Sequence, residues 1–275
     1  MQDSRNELVQ LAKLAEQTER FEDVILYMKK AIEINPSLNK EHRNLLSVGY
    51  KNVVGSKRFA WRHLHHDALQ SGRYIRDSQL KGIIKYKEKI EMELKTLCRE
   101  ILTLIETCLL DAAEDAEAKV FYDKMTGDYW RYLAEIYSGK QQKDSYGTAV
   151  EHEDACDNYD ASDNYIACGN YDACDIDNWY DDDEAAERSL GAYKHASSTA
   201  AEYLSPTDPV RLGLALNFAV FYKEILNEAE MAIMHSKQAY AAALPEMDSL
   251  SEEVYRDSNL IMHLLNDNIT IWMEE

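Results

Sequence analysis

Proline and glycine are scarce in this chain, with 4 and 10 among 275 residues. All-β folds need such residues at nearly every turn, so their shortage points towards helix. No apolar run approaches the roughly 20 residues that a membrane span requires, and no charged and then apolar leader opens the chain. Five cysteines, an odd number, do not suit an extracellular disulfide framework. A cytosolic (cytoplasmic) protein with reduced thiols is expected. Basic residues are also in deficit: 30 Lys and Arg face 50 Asp and Glu, a net charge of −20. That balance argues against a broad nucleic-acid or anionic-membrane surface, both of which need clustered cations. Neither a phosphate-binding glycine loop nor a nucleophile elbow occurs, so no catalytic set can be assigned.

What is present falls into two textures. Between Asp144 and Glu184 there are 14 acidic residues and no Lys or Arg, which leaves only −6 for the rest of the chain. Within that span a six-residue unit recurs from Ala155, Ala161 and Ala167, then decays from Ala173. Its Asp, Asn and Gly content disfavours helix and strand alike, so residues 141–184 are expected to be an acidic low-complexity insertion forming a mobile loop within a single domain over 1–275. An inert surface loop is the favoured role. The sharper alternative is that its carboxylates compete for a basic site on the same chain.

The remainder is helix-periodic. Leu8, Leu11, Leu14 and Ala15, then Val24, Met28, Ala31 and Ile32, keep 3 and 4 spacing from Asp3 until Asn35-Pro36 stops the run. Further helices are expected over Lys40–His66, Leu80–Leu110, Ala116–Tyr137 and Ala185–Leu204, with a break at Gly72 and Asp77. Asp208-Pro209 reads as an N-cap followed by proline at the first helical position, opening a helix to Leu226. Ser249 and Glu252 have the spacing of a capping box for a last helix ending near Trp272. These are seven helical runs, and about nine helices are expected in all.

Polar spacing on these helices is informative by itself. Lys51 and Arg58 are seven apart, as are Lys124 and Arg131, and as are Asn217 and Glu224 with Leu216 and Val220 beside them. Seven residues is about two turns, so each pair shares one helix face. Two Arg and two Lys gathered from separate helices, with the hydroxyl of Tyr132, would form a local positive well. A phosphorylated side chain, with about −1.5 to −2 charges and three acceptor oxygens, matches guanidinium forks. Taken singly, each of these cations is more often a solvated surface residue, and Leu216, Val220, Leu264 and Trp272 are equally compatible with core packing.

Four long segments carry a family resemblance: RNLLSVGYKNVVG at 43–55, KVFYDKMTGDYWRYLAE at 119–135, PVRLGLALNFAVFYKEILN at 209–227 and YRDSNLIMHLLNDNITIW at 255–272. The first and last resemble the two signatures of the 14-3-3 family, and the middle two are similar to its central helices. The resemblance spans the chain except residues 141–184. It implies an all-α fold of about nine antiparallel helices forming a concave groove, and a phosphoserine- or phosphothreonine-binding adaptor that is not an enzyme and uses no cofactor and no metal. It implies Arg58, Arg131 and Tyr132 on the phosphate with Lys51 nearby and Lys124 in support. Asn217 and Asn268 would hold the peptide main chain, Glu224 would lie beside it, and Leu216, Val220, Leu264, Ile271 and Trp272 would line the apolar wall. Partners implied are phosphorylated client proteins and a second copy, or a paralogue, paired through the N-terminal helices. The dimer residues are Leu14, Leu64 and Tyr86, with intersubunit pairs Arg20–Glu93 and Asp23–Lys89.

Departures from the family pattern are Thr126 and Lys223, where Lys and Tyr are usual, and Phe59-Ala60, where a serine pair is frequent. Ala60 lacks a hydroxyl to phosphorylate, so no control of dimerisation is expected there. A phosphate-independent scaffold of the tetratricopeptide type is the competing reading, from Tyr27 to Pro36, but that motif does not recur at a 34-residue period. His63 and His66, one turn apart, lack an identifiable third metal ligand.

Overall fold

The computed structural model describes residues 2–71, 77–144 and 182–275. Among them the chain is all-helical, with nine α-helices: α1 Gln2–Gln17, α2 Phe21–Ile34, α3 Lys40–Ser71, α4 Asp77–Leu104, α5 Ala116–Asp144, α6 Asp182–Tyr203, α7 Pro209–Glu224, α8 Ala229–Ala243 and α9 Glu252–Glu274. Helices pack in sequential pairs, α1 on α2, α3 on α4, α5 on α6 and α7 on α8, with α9 laid against both α7 and α8.

The single periodic run from Asp3 to Asn35 is two helices, divided at Glu19, whose φ of +56° is rare for a residue with a side chain. The Arg20 N–H reaching back to the Ala15 carbonyl closes α1 there. Periodicity cannot see this break, because the apolar spacing continues across it. α7 begins as expected, with Asp208 accepting from the Val210 and Arg211 amides at 2.7 and 3.4 Å. It ends through Asn227 at φ +55°, while the Glu228 N–H bonds the Tyr222 carbonyl at 2.8 Å.

The capping box expected at Ser249 does not form. Ser249 instead donates to the Glu246 carbonyl inside a short 3-10 turn over Leu244–Ser249, and Ser251 is the N-cap of α9 without a side-chain cap bond. Expected helix ends also extend: α3 continues past His66, α5 past Tyr137 to Asp144, and α6 starts at Asp182. The segment expected as a loop, 141–184, is thus helical at both edges, and the loop expectation for 145–181 lies outside the described residues. α4 gives way to a π turn over Ile105–Leu109 before α5.

Three apolar clusters hold the helices. The largest joins α1 to α5 around Met28, Leu46, Leu94 and Leu133. A second, rich in aromatic residues, joins α5 to α8 around Tyr193, Phe218 and Phe221, and a third ties α7 to α8 and α9 through Leu212, Met247 and Leu265. At the crossing of α5 and α6, a β-carbon on Gly127 would lie 2.7 Å from the Tyr193 ring. Glycine is what lets the two helices approach.

A cationic cluster between α3, α5 and α7

α3, α5 and α7 bring most of the expected polar residues into one connected cluster. From α3, Arg58 donates twice to one oxygen of Glu135 on α5, at 2.9 and 2.7 Å. Its guanidinium lies 3.9 Å from the Tyr132 ring centroid, and that of Arg131 lies 4.7 Å from the same ring. Tyr132 therefore contacts two guanidinium groups, a geometry that ring quadrupoles favour.

Beneath them sits Asp128. Its carboxylate accepts from Lys124 at 2.8 Å, Tyr193 at 2.5 Å, Asn217 at 2.7 Å and Arg131 at 3.3 Å. Arg131 also donates to the Tyr193 hydroxyl at 3.1 Å and is only 6% exposed. Burial by itself would raise the Asp128 carboxyl, but the charges of Lys124 and Arg131 outweigh it and hold the group at about 2. Asp128 is ionised at any ordinary pH and orients three candidate residues at once. Burial pushes the Tyr193 hydroxyl in the opposite direction, well above its usual range, so it stays a neutral donor.

Arg62, one turn beyond Arg58 on α3, binds Glu135 and reaches Glu224 on α7 at 3.5 Å. This links Glu224 to the cluster. Lys51 is exposed, two turns before Arg58, and meets no carboxylate among the described residues. The connected cluster thus holds four cations, Arg58, Arg62, Lys124 and Arg131, against three carboxylates, Asp128, Glu135 and Glu224. An excess of one positive charge, with Lys51 exposed two turns away on α3, persists on a chain of −20. Screening over roughly 8 Å lets such a local excess act independently of distant acidic residues.

The four residues Arg62, Asp128, Glu135 and Tyr193 were not among those singled out from sequence. Arg62, Asp128 and Glu135 had a signal, since each lies three or four residues from an expected cation on its own helix. Tyr193 had none, because its partner Asp128 is 65 residues away.

The expected apolar wall divides. Leu264 and Ile271 on α9 are 44% and 53% exposed, unlike core residues. Leu216 packs partly into the third apolar cluster and Trp272 into the second. Val220 and Asn268 are half-buried on α7 and α9. Of the expected dimer residues, Leu14 and Tyr86 are exposed while Leu64 packs partly into the core. Within the chain Arg20 pairs with Asp23, and Glu93 with Lys57. Of the α3 histidines, His63 stacks on the exposed Phe59 ring, and His65 stacks on the buried Trp61, with the Lys87 ammonium 3.0 Å from the His65 Nδ1. Among the described residues no helix is long and apolar enough to cross a membrane.

A family model described as 14-3-3 protein matches residues 11–162 and 171–273. The chain is 41% identical to the 14-3-3-like protein GF14 epsilon of Arabidopsis thaliana, over all of this chain and 92% of that protein. It is 43% identical to the checkpoint signal transducer rad24 of Schizosaccharomyces pombe, over 99% of this chain and 86% of that one. It is 42% identical to the 14-3-3-like protein C of Glycine max, over 98% and 90%. Such coverage leaves the tetratricopeptide alternative without support. An all-helical chain matched from end to end in this way belongs to the 14-3-3 family of non-enzymatic adaptor proteins.

Proposed function

We propose that this chain holds phosphoserine and phosphothreonine segments of client proteins between α3, α5, α7 and α9, and so acts in signalling as its checkpoint-transducer relative is named for. The phosphate lies on Arg58, Arg131 and Tyr132, with Lys51 at its edge and Lys124 supporting through Asp128. Asn217 and Asn268 take the peptide main chain beside Glu224, and Leu216, Val220, Leu264, Ile271 and Trp272 accept its side chains. The observation that carries this is the convergence of Arg58 and Arg131 on Tyr132, within a local excess of positive charge. A dianionic phosphate gains charge-assisted bonds there that a serine hydroxyl does not.

The protein works as a homodimer, or pairs with paralogues, in the cytoplasm. Support comes from the exposed apolar side chains Leu14, Phe59 and Tyr86 on α1, α3 and α4. Arg20, Asp23, Lys89 and Glu93 flank that face, so intersubunit pairing exchanges the internal Arg20–Asp23 and Lys57–Glu93 pairs for external ones. Two sites on one dimer raise avidity for doubly phosphorylated partners through effective concentration.

The test is fluorescence anisotropy with one peptide, with and without phosphoserine, against the native chain and Arg58→Glu. The phosphorylated form should bind at least about a hundredfold more tightly to the native chain, from two or more charge-assisted bonds, and lose that advantage with Arg58→Glu. Equal binding of the two peptide forms to the native chain removes the proposal.

A further inference from the structure

A second concavity, outside the cationic cluster, is lined by α6, α7 and α8, is open on one side and has a volume of about 300 Å3. Its α7 residues include Arg211, Leu214, Ala215 and Phe218. At about 100° per residue these fall on the opposite side of α7 from Asn217, Val220 and Glu224. The cavity therefore opens away from the proposed peptide site. Ala200, Ala215, Ala239 and the Phe218 ring form its apolar walls, and no acidic side chain lines it.

Its polar lining is Ser197, Arg211, His235 and Gln238, and of these Arg211 and His235 give it chemistry. Arg211 donates to the Leu204 carbonyl at 2.6 Å but faces no carboxylate among the described residues. This contrasts with Arg58, Arg62 and Arg131, each paired with an acid. A guanidinium has five N–H donors, so Arg211 keeps capacity for an anion. His235 lies against the Tyr222 ring, with centroids 4.9 Å apart and planes 16° apart, and 5.0 Å from Phe218. Burial lowers its pKa, which favours the neutral ring with one donor and one acceptor, and neither nitrogen is hydrogen-bonded among the described residues.

We propose that this cavity binds a small amphipathic carboxylate, its apolar body lodged between Phe218 and the alanines and its carboxylate on Arg211, with His235 donating from the side. The volume is at the small end of ligand cavities, which suits a small molecule with a single ring or a short chain. A phenyl or short alkyl acid meets these limits. A phosphopeptide does not, being too large and needing more than one cation.

The experiment titrates 3-phenylpropanoate into the full chain and follows the His235 ring signals by NMR, with 3-phenylpropanamide as the neutral analogue. Expected is a saturable shift with the acid, at least about tenfold weaker with the amide or with Arg211→Gln, since a charge-assisted bond is lost. The shift should persist in Arg58→Glu. No saturable shift, equal affinity for acid and amide, or loss of binding in Arg58→Glu would each overturn the proposal. Should Arg211→Gln fail to fold by circular dichroism, Ala239→Phe fills the cavity without touching its charge, and unchanged acid binding in that variant also overturns it.

Discussion

Replacing Asp128 by Asn tests whether one buried carboxylate holds the cationic cluster together. Asp128 accepts hydrogen bonds from Lys124, Arg131, Tyr193 and Asn217. Its carboxyl is held at about 2 against an ordinary 3.8, which corresponds to about 2.5 kcal/mol of stability at neutral pH. Leaving Arg131 buried without its anion adds to this, towards the roughly 3–5 kcal/mol typical of breaking a buried pair. Because the folded-state pKa is depressed, the stabilisation is present above about pH 4 and is lost as pH falls through the folded value near 2. Urea unfolding at fixed protein concentration, at neutral pH and in steps between about pH 4 and 2, should show Asp128→Asn markedly less stable at neutral pH. The gap between native and variant should close as pH falls. A variant as stable as the native chain at neutral pH, or a gap that does not change across that window, refutes the argument.

Lys51 is exposed and pairs with no acid among the described residues whereas Arg131 is buried in the Asp128 network, so the two should separate binding from folding. Lys51→Ala should weaken phosphopeptide binding by anisotropy yet leave stability within about 0.5 kcal/mol, whereas Arg131→Ala should damage both. Leu264→Ala should lower peptide affinity with little change in thermal midpoint, because its side chain is largely solvated. Leu216→Ala should also cost about 1–2 kcal/mol in denaturant titration, as it packs into the third cluster. Gly127→Ala would gain about 1 kcal/mol of helix propensity, but the added carbon meets the Tyr193 ring at 2.7 Å. That ring is fully buried and bound to Asp128, so an overpacking cost of about 1–3 kcal/mol offsets the gain and should leave a net destabilisation of up to about 2 kcal/mol. A stabilised variant would show that α6 can shift away from α5 freely.

Much of the fold is legible in the sequence because helices announce themselves locally. The apolar spacing in α3 and α4, and Asp208-Pro209 at the start of α7, depend on residues within a few turns of each other. The failures were also local in kind. The split between α1 and α2 rests on the backbone of Glu19, which no side-chain pattern marks, and Ser251 rather than Ser249 caps α9 because the preceding residues close a 3-10 turn.

The site was legible in part. Composition and periodicity determined an all-helical chain, the seven-residue spacings placed Lys51 with Arg58 and Lys124 with Arg131 on single faces, and four segments identified the family. Tertiary structure decided which charges meet. That Arg58 binds Glu135 from 77 residues away, that Asn217 and Tyr193 share Asp128 with Arg131, and that Arg211 meets no acid among the described residues are consequences of how α3, α5, α6 and α7 pack. Helical periodicity fixes a side chain's direction around its own axis, whereas its electrostatic partner depends on the rotation and offset of a neighbouring helix, which packing across the core sets.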